Sequence, residues 1–150
     1  MTDKPPIHRF TGLYAFLSNF YPSPLIFAER TYPTVEHAFQ AMKTINPDQR
    51  DMCAAMATPG KAKAFGRSLT LRPDWEDIKL DVMHNLVSMK FCTYPSLQKR
   101  LIATGDAELY EGNTWNDTFW GVDLITGEGS KHLGLILMRV REESLAQGKT

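Results

Sequence analysis

Cysteine is scarce in this 150-residue chain. Cys53 and Cys92 stand far apart, with no CxxC pair and no Cys/His spacing of a zinc site. That excludes a zinc-ribbon or disulfide-dense scaffold, and both thiols read as reduced and partly buried. Long apolar runs are missing too. None approaches the roughly 20 residues of a membrane span, so no membrane association is expected. The opening MTDKPPIHRF has no apolar signal core, and a cytoplasmic protein is expected. Neither charge is in excess, with 17 Lys plus Arg against 17 Asp plus Glu. A neutral chain argues against broad, salt-driven nucleic-acid binding, which needs many basic contacts to phosphate. A local basic pocket for one anionic ligand stays open, as does a base presented at a DNA end or on a single strand.

The familiar catalytic signatures are also absent. There is no HExxH, so Glu36-His37 is not part of a zincin, and no GxSxG elbow. GEGSKHLG (residues 127–134) is neither a Walker loop nor GxGxxG. His8, His37, His84 and His132 lack ligand spacing and read as structural. No metal and no cofactor is expected.

What is present suits one globular domain over residues 1–150, with a core from about 10 to 141 and no repeat or linker. Phe16–Tyr21 and Leu25–Phe27 are β-type runs broken by Pro22 and Pro24, and read as short strands or an ordered loop. Thr34 caps a helix to about Lys43. A second helix starts after Pro47, and Thr58-Pro59 opens a third through Ala64. Asp74 caps the clearest helix, to Phe91, along which Trp75, Ile78, Val82, Leu86 and Met89 form an apolar stripe. A further helix follows Tyr94-Pro95 and stops at Gly105. Glu108–Tyr110 and Phe119–Leu124 read as strands, and a last helix runs from Leu133 to about Glu143. The fold class is α+β, predominantly helical with a small sheet.

Three features carry chemistry. Glu36, Gln40 and Lys43 fall at i, i+4 and i+7, so one helix face holds an acid, an amide and an amine. The same spacing also describes a solvated face with a weak Glu–Lys pair. In Glu111–Gly121, Trp115 and Trp120 flank Asp117. They read either as a base-stacking pocket beside a carboxylate or as core tryptophans around a turn-capping aspartate. Lys61, Lys63 and Arg67 around one helix, and Gly127, Gly129, Ser130 and Lys131 before another, offer phosphate cradles or plain capped turns.

Taken in order, these segments resemble the YbiA-like or NADAR family. The matching residues are Phe16–Lys43, Pro59–Arg67, Trp75 with Lys79 and Met83, Lys90-Phe91, Asp117–Gly121 and Leu133–Arg141. The combination of SNFYP, VEHAFQ and FWG is the specific part. The resemblance implies a YbiA-like fold and an N-glycosidase acting on phosphoribosylamino intermediates of riboflavin synthesis or on ADP-ribosyl-guanine adducts. One departure stands out: Lys131 occupies the place of an asparagine in the family's G-x-N-x-L-G.

Breaking a ribose C–N bond builds positive charge at C1′ and negative charge on the leaving nitrogen. Glu36 and Asp117 can act as a carboxylate pair. Alternatively, a desolvated Lys43 attacks C1′ and forms an imine, with Glu36 moving protons and Asp117 holding ribose hydroxyls. The substrate is expected to meet Asn19, Phe20, Gln40, Lys61, Arg67, Trp75, Lys79, Trp120 and Gly121 from the matching segments, together with Trp115 and the divergent Lys131, with Arg9 a weaker phosphate ligand. The expected partner is a small phosphoribosyl or ADP-ribosyl molecule, or ADP-ribosylated nucleic acid, and the protein is expected to be a monomer. The alternatives are a module that binds ADP-ribose or NAD without cleaving it and a small helical adaptor.

Overall fold

The computed structural model describes residues 4–148. A 3-10 helix, Gly12–Leu17, precedes strands β1 (Leu25–Phe27) and β2 (Arg30–Tyr32). Helices α1 (Val35–Ala41), α2 (Pro47–Ala55), α3 (Pro59–Gly66), α4 (Trp75–Thr93) and α5 (Pro95–Ala103) follow. Strands β3 (Gly112–Asn113) and β4 (Val122–Asp123) and helix α6 (His132–Gly148) complete the order. The class is the helix-rich α+β fold that the sequence implies. The residues gather into two compact units, one of them Asn19–Thr93 and the other combining the described residues up to Ser18 with those from Tyr94 onward.

In the Asn19–Thr93 unit, β1 and β2 form an antiparallel hairpin in the register Leu25↔Tyr32, Ile26↔Thr31, Phe27↔Arg30. Its two turn residues, Ala28 and Glu29, sit at φ 48° and 65°, the left-handed pair that a two-residue hairpin turn demands. Arg30 ties the hairpin to α2, its Nε donating to Asp51 Oδ1 at 2.6 Å. Three helix starts follow one recipe. The Thr34 hydroxyl accepts from His37 N, Asn46 Oδ1 accepts from Asp48 N and Gln49 N, and Thr58 Oγ1 accepts from Lys61 N. Pro47 and Pro59 supply the fixed φ of a first turn. Around α1 pack α2, α3, α4 and both strands, and every residue from Val35 to Ala41 is buried.

In the other unit, Pro95 opens α5 and Gly105, at φ 67°, follows its end. Helix α5 packs on α6. The buried Arg141 guanidinium donates to Thr104 Oγ1 and Ala107 O, both at 2.9 Å. Gly134 lets α6 lie against the Leu109–Tyr110 backbone, where any Cβ would overlap the Leu109 carbonyl.

Several expectations are corrected. Phe16 and Leu17 are buried by a 3-10 turn rather than by a strand over 16–21. Near Glu108–Tyr110 there is only a bridge between Leu109 and Ile7. Of Phe119–Leu124, only Val122–Asp123 pairs, in parallel with Gly112–Asn113. Asp74 stands at the start of α4, but its carboxylate takes the Arg72 guanidinium, Nε to Oδ1 at 2.6 Å. The buried side of α4 holds Met83, Val87 and Lys90 with Trp75 and Leu86, while Ile78, Val82 and Met89 are half-buried. Choosing only apolar residues from the sequence rotates the stripe, because Lys90 occupies a core position. Helix α6 runs on to Gly148.

Two predictions follow from buried groups. Burial pushes the Cys53 thiol up to about 11, whereas Cys92 is exposed. Native protein will therefore take up one equivalent of a thiol-alkylating reagent, at Cys92, and a second only in denaturant. Burial draws Lys90 down to about 7 from 10.5. Between those values the unfolded chain holds a proton that the folded chain does not, so this residue makes stability rise with pH across that window. Urea denaturation of Lys90→Met will show that rise diminished.

Candidate active site

The site is built on α1. This helix of seven residues has no exposed face, so each polar side chain on it needs a partner or a purpose. His37 has partners: Nδ1 lies 2.8 Å from Thr34 Oγ1 and Nε2 lies 3.0 Å from Met56 O. The Met56 carbonyl can only accept, so Nε2 carries the proton and donates. His37 thus clamps the start of α1 to the end of α2. This is the structural histidine that its lack of ligand spacing implies.

Glu36 and Gln40 share another face of the helix. Gln40 Nε2 donates to Glu36 Oε2 at 3.2 Å, and the Glu36 backbone N–H donates to Asn19 O at 3.1 Å. Both residues are buried, 8% and 3% exposed, so Glu36 is no solvated surface acid. One turn on, Lys43 is half-buried, with its backbone carbonyl accepting from Arg72 N at 2.8 Å. The Lys43 ammonium is held below its ordinary range, first by burial, then by the positive charges of Arg67 and Lys63; Glu36 opposes the shift. An acid, an amide and an amine whose charged form burial disfavours therefore follow one another along this stretch, within electrostatic reach of two further cations. That composition suits proton transfer and nucleophilic attack next to an anionic group.

The remaining expected residues of this unit fall at varying remove. Arg67 is exposed at the C-terminal cap of α3. Lys61 is exposed and is not among the charges that act on Lys43. Asn19 donates from Nδ2 to Met83 Sδ at 3.4 Å, while Phe20 is 41% exposed. Trp75 is buried against Phe39, ring centroids 5.1 Å apart, and its ring belongs to the core. Lys79 pairs with Glu76 at 2.6 Å.

Asp117, Trp115, Trp120, Gly121 and Lys131 lie in the other unit. There Asn113 organises the loop: its Oδ1 accepts from Trp115 N and Asp117 N, and its Nδ2 donates to Asp117 O at 2.9 Å. Asp117 Oδ1 accepts from Trp120 N at 3.0 Å, the turn-capping role. Trp115 is 60% exposed. Trp120 meets the Phe119 ring edge-on at 4.8 Å. Gly121 is required, since a Cβ there would overlap the Glu111 carbonyl and the Asn113 amide. Lys131 Nζ pairs with Glu108 Oε1 at 2.6 Å. Arg9 lines two hollows of this unit, of about 580 and 570 Å³.

Lys63, which the sequence offers only as one member of a phosphate cradle, is the lysine of that helix whose charge acts on Lys43 together with Arg67; it stands four residues before Arg67, on the same helix face, whereas Lys61 does not. Gly66 is a residue that the sequence reading misses; it gives no signal, because its role depends on Gln40 lying across it. Among the described residues no group of three or more His, Cys, Asp or Glu side chains gathers as a metal site. No described helix is long and apolar enough to cross a membrane.

Comparison with known proteins agrees with this architecture. The family model described as the NADAR domain matches residues 8–144. The chain is 38% identical over 132 residues to the N-glycosidase YbiA of Escherichia coli K12, covering 87% of this chain and 81% of that protein. It is also 38% identical to the N-glycosidase Npun_R5314 of Nostoc punctiforme, covering 87% and 85%. The chloroplastic riboflavin biosynthesis protein PYRR of Zea mays is 35% identical over 92% of this chain, a region that makes up 25% of that longer protein. The NMR structure of E. coli YbiA superposes with a TM-score of 0.85 at 35% identity, covering 99% of this chain and 89% of that one. By sequence and by fold, this chain belongs to the NADAR domain family.

Proposed function

We propose that this protein is an N-glycosidase that hydrolyses the bond between a phosphorylated ribose and a nitrogen base, with Lys43 as nucleophile. The observation that carries the reading is the Lys43 amine, desolvated, under the positive charges of Arg67 and Lys63, and two turns on from the buried Glu36. Relatives named N-glycosidase support the reaction class. Relatives named for riboflavin biosynthesis favour a phosphoribosylamino substrate over an ADP-ribosyl-guanine adduct.

The steps follow from the charges. Neutral Lys43 Nζ attacks C1′ as the C–N bond to the base breaks, and the Glu36 carboxylate takes the proton that Nζ gives up and hands it to the leaving base. The ribose ring opens, O4′ takes a proton and C1′ becomes an imine on Nζ. Water then adds to C1′, and collapse of that adduct frees the amine and the sugar. Arg67 and Lys63 hold the phosphate, and their charge also disfavours protonation of Lys43. One anion-binding pair thus serves both recognition and activation. A second reading confines the chemistry to carboxylates, and the Asp117 carboxylate already accepts from Trp120 N.

Incubation with a phosphoribosylaminopyrimidine and, separately, with ADP-ribosylated guanosine should release base from the first, followed by chromatography. Borohydride should trap a sugar on Lys43, and Lys43→Ala should lose both the adduct and turnover. Release that survives Lys43→Ala but not Glu36→Gln moves the chemistry to the carboxylates. No release from either substrate, with thermal stabilisation by ADP-ribose, identifies a binding module instead. Glu36→Gln should cost about 10²–10⁴-fold, the usual worth of a positioned proton carrier.

The pH dependence has a defined sign. Activity needs the free amine, so kcat/KM rises with pH through the Lys43 value, which is below 10.5. Arg67→Gln removes a neighbouring positive charge, stabilises the ammonium and moves that rise to higher pH. A rise that stays in place would show that Arg67 does not act on Lys43.

A further inference from the structure

The amide of Gln40 is held in one orientation from two sides. On one side its N–H donates to the Glu36 carboxylate. Turning the amide over would set oxygen against oxygen, so the acid fixes which end faces it. On the other side lies α3. Gln40 Oε1 is buried and meets no hydrogen-bond donor, an unusual arrangement for a buried oxygen. It lies over Gly66, where an added Cβ would overlap Oε1 and crowd the amide carbon behind it. The backbone of Gly66 is regular helix, so no special φ requires glycine there. The requirement is space.

We propose that Gly66 is a positioning residue for Glu36, acting through Gln40. The missing side chain leaves the space in which the Gln40 amide lies against α3 with its N–H on Glu36. The residue that overlaps a Cβ at 66 is a side-chain end rather than backbone. Alanine would therefore displace the amide before it displaced the helices, and the carboxylate would lose the hydrogen bond from Gln40. The inference rests on the reading that Glu36 moves protons. It adds that the geometry of this acid is set from α3, an element that contributes no atom to the bond between Gln40 and Glu36. It also accounts for the unmet oxygen: Oε1 has no donor because what faces it is a glycine.

The test is a double-mutant cycle with Gly66→Ala, Gln40→Ala and both together, using two readouts. The first is the carboxyl ¹³C resonance of Glu36 in glutamate-labelled protein, assigned by its loss in Glu36→Gln. It should move in Gly66→Ala and in Gln40→Ala, and Gly66→Ala should move it no further once Gln40 is gone. The second is turnover. Each single variant should lower kcat by roughly ten- to a hundred-fold, the scale of one lost hydrogen bond to an ionised group. KM should be little changed, and the double variant should match Gln40→Ala. Additive effects in either readout would overturn the proposal. If Gly66→Ala does not fold, the double variant decides, because removing Gln40 relieves the overlap: a folded double variant supports the inference and an unfolded one sinks it. The resonance needs no substrate. A coupled resonance in a protein without hydrolysis would therefore reject the proposed activity and leave this inference standing.

Discussion

The structure of the Asn19–Thr93 unit depends on burying a polar helix. Helix α1 is surrounded by three helices and a hairpin, yet it brings Glu36, His37 and Gln40 into that interior. Apolar residues at those positions would make an easier core, since each polar group must recover in the fold the hydrogen bonds it gives up to water. The surroundings are shaped around that need. Thr34 serves both as helix cap and as partner of the His37 ring. The end of α2 offers the Met56 carbonyl, Asn19 offers its own to the Glu36 amide, and α3 withholds a side chain at Gly66. The same desolvation that makes the helix expensive to bury lowers the affinity of Lys43 for its proton.

The other unit solves a different problem, the ordering of a long loop between α5 and α6 with little secondary structure. One side chain, Asn113, satisfies three backbone groups across Trp115 and Asp117. Glycines at 121 and 129 let neighbouring strands of backbone approach where a Cβ would overlap a carbonyl. Asp123 repeats the device, its carboxylate accepting from Ile125 N and Thr126 N. Such loops need few apolar contacts, because their own polar groups hold their shape.

Local chemistry made much of the fold legible. Thr34, Pro47, Thr58-Pro59, Pro95 and Gly105 mark helix ends through interactions within a turn, and these stand where the sequence puts them. The order of FLSNFYP, VEHAFQ and FWG was enough to indicate the family. What stayed hidden depends on partners distant in sequence. Leu25–Phe27 pairs as read, whereas Phe16–Tyr21, Glu108–Tyr110 and the first part of Phe119–Leu124 form no strand, because aromatic and apolar residues there pack without pairing, as Phe16 and Phe119 do. The polar face Glu36–Gln40–Lys43 was visible as spacing, but spacing alone did not separate a solvated stripe from a buried one. Lys90 in the core, Trp75 against Phe39 and the Lys131–Glu108 pair likewise required the packed chain.

The shortness of α1 has a consequence of its own. Seven residues are too few for a helix to persist alone in water, where even favourable sequences need about 12–15. Glu36, Gln40 and Lys43 share a face only while the packed interior holds them there. A partly unfolded molecule therefore retains no weakened version of the site. The concentration of competent enzyme is the concentration of molecules in which this interior is closed, so a sequence change far from α1 can alter activity without touching the chemistry, by changing how many molecules are intact.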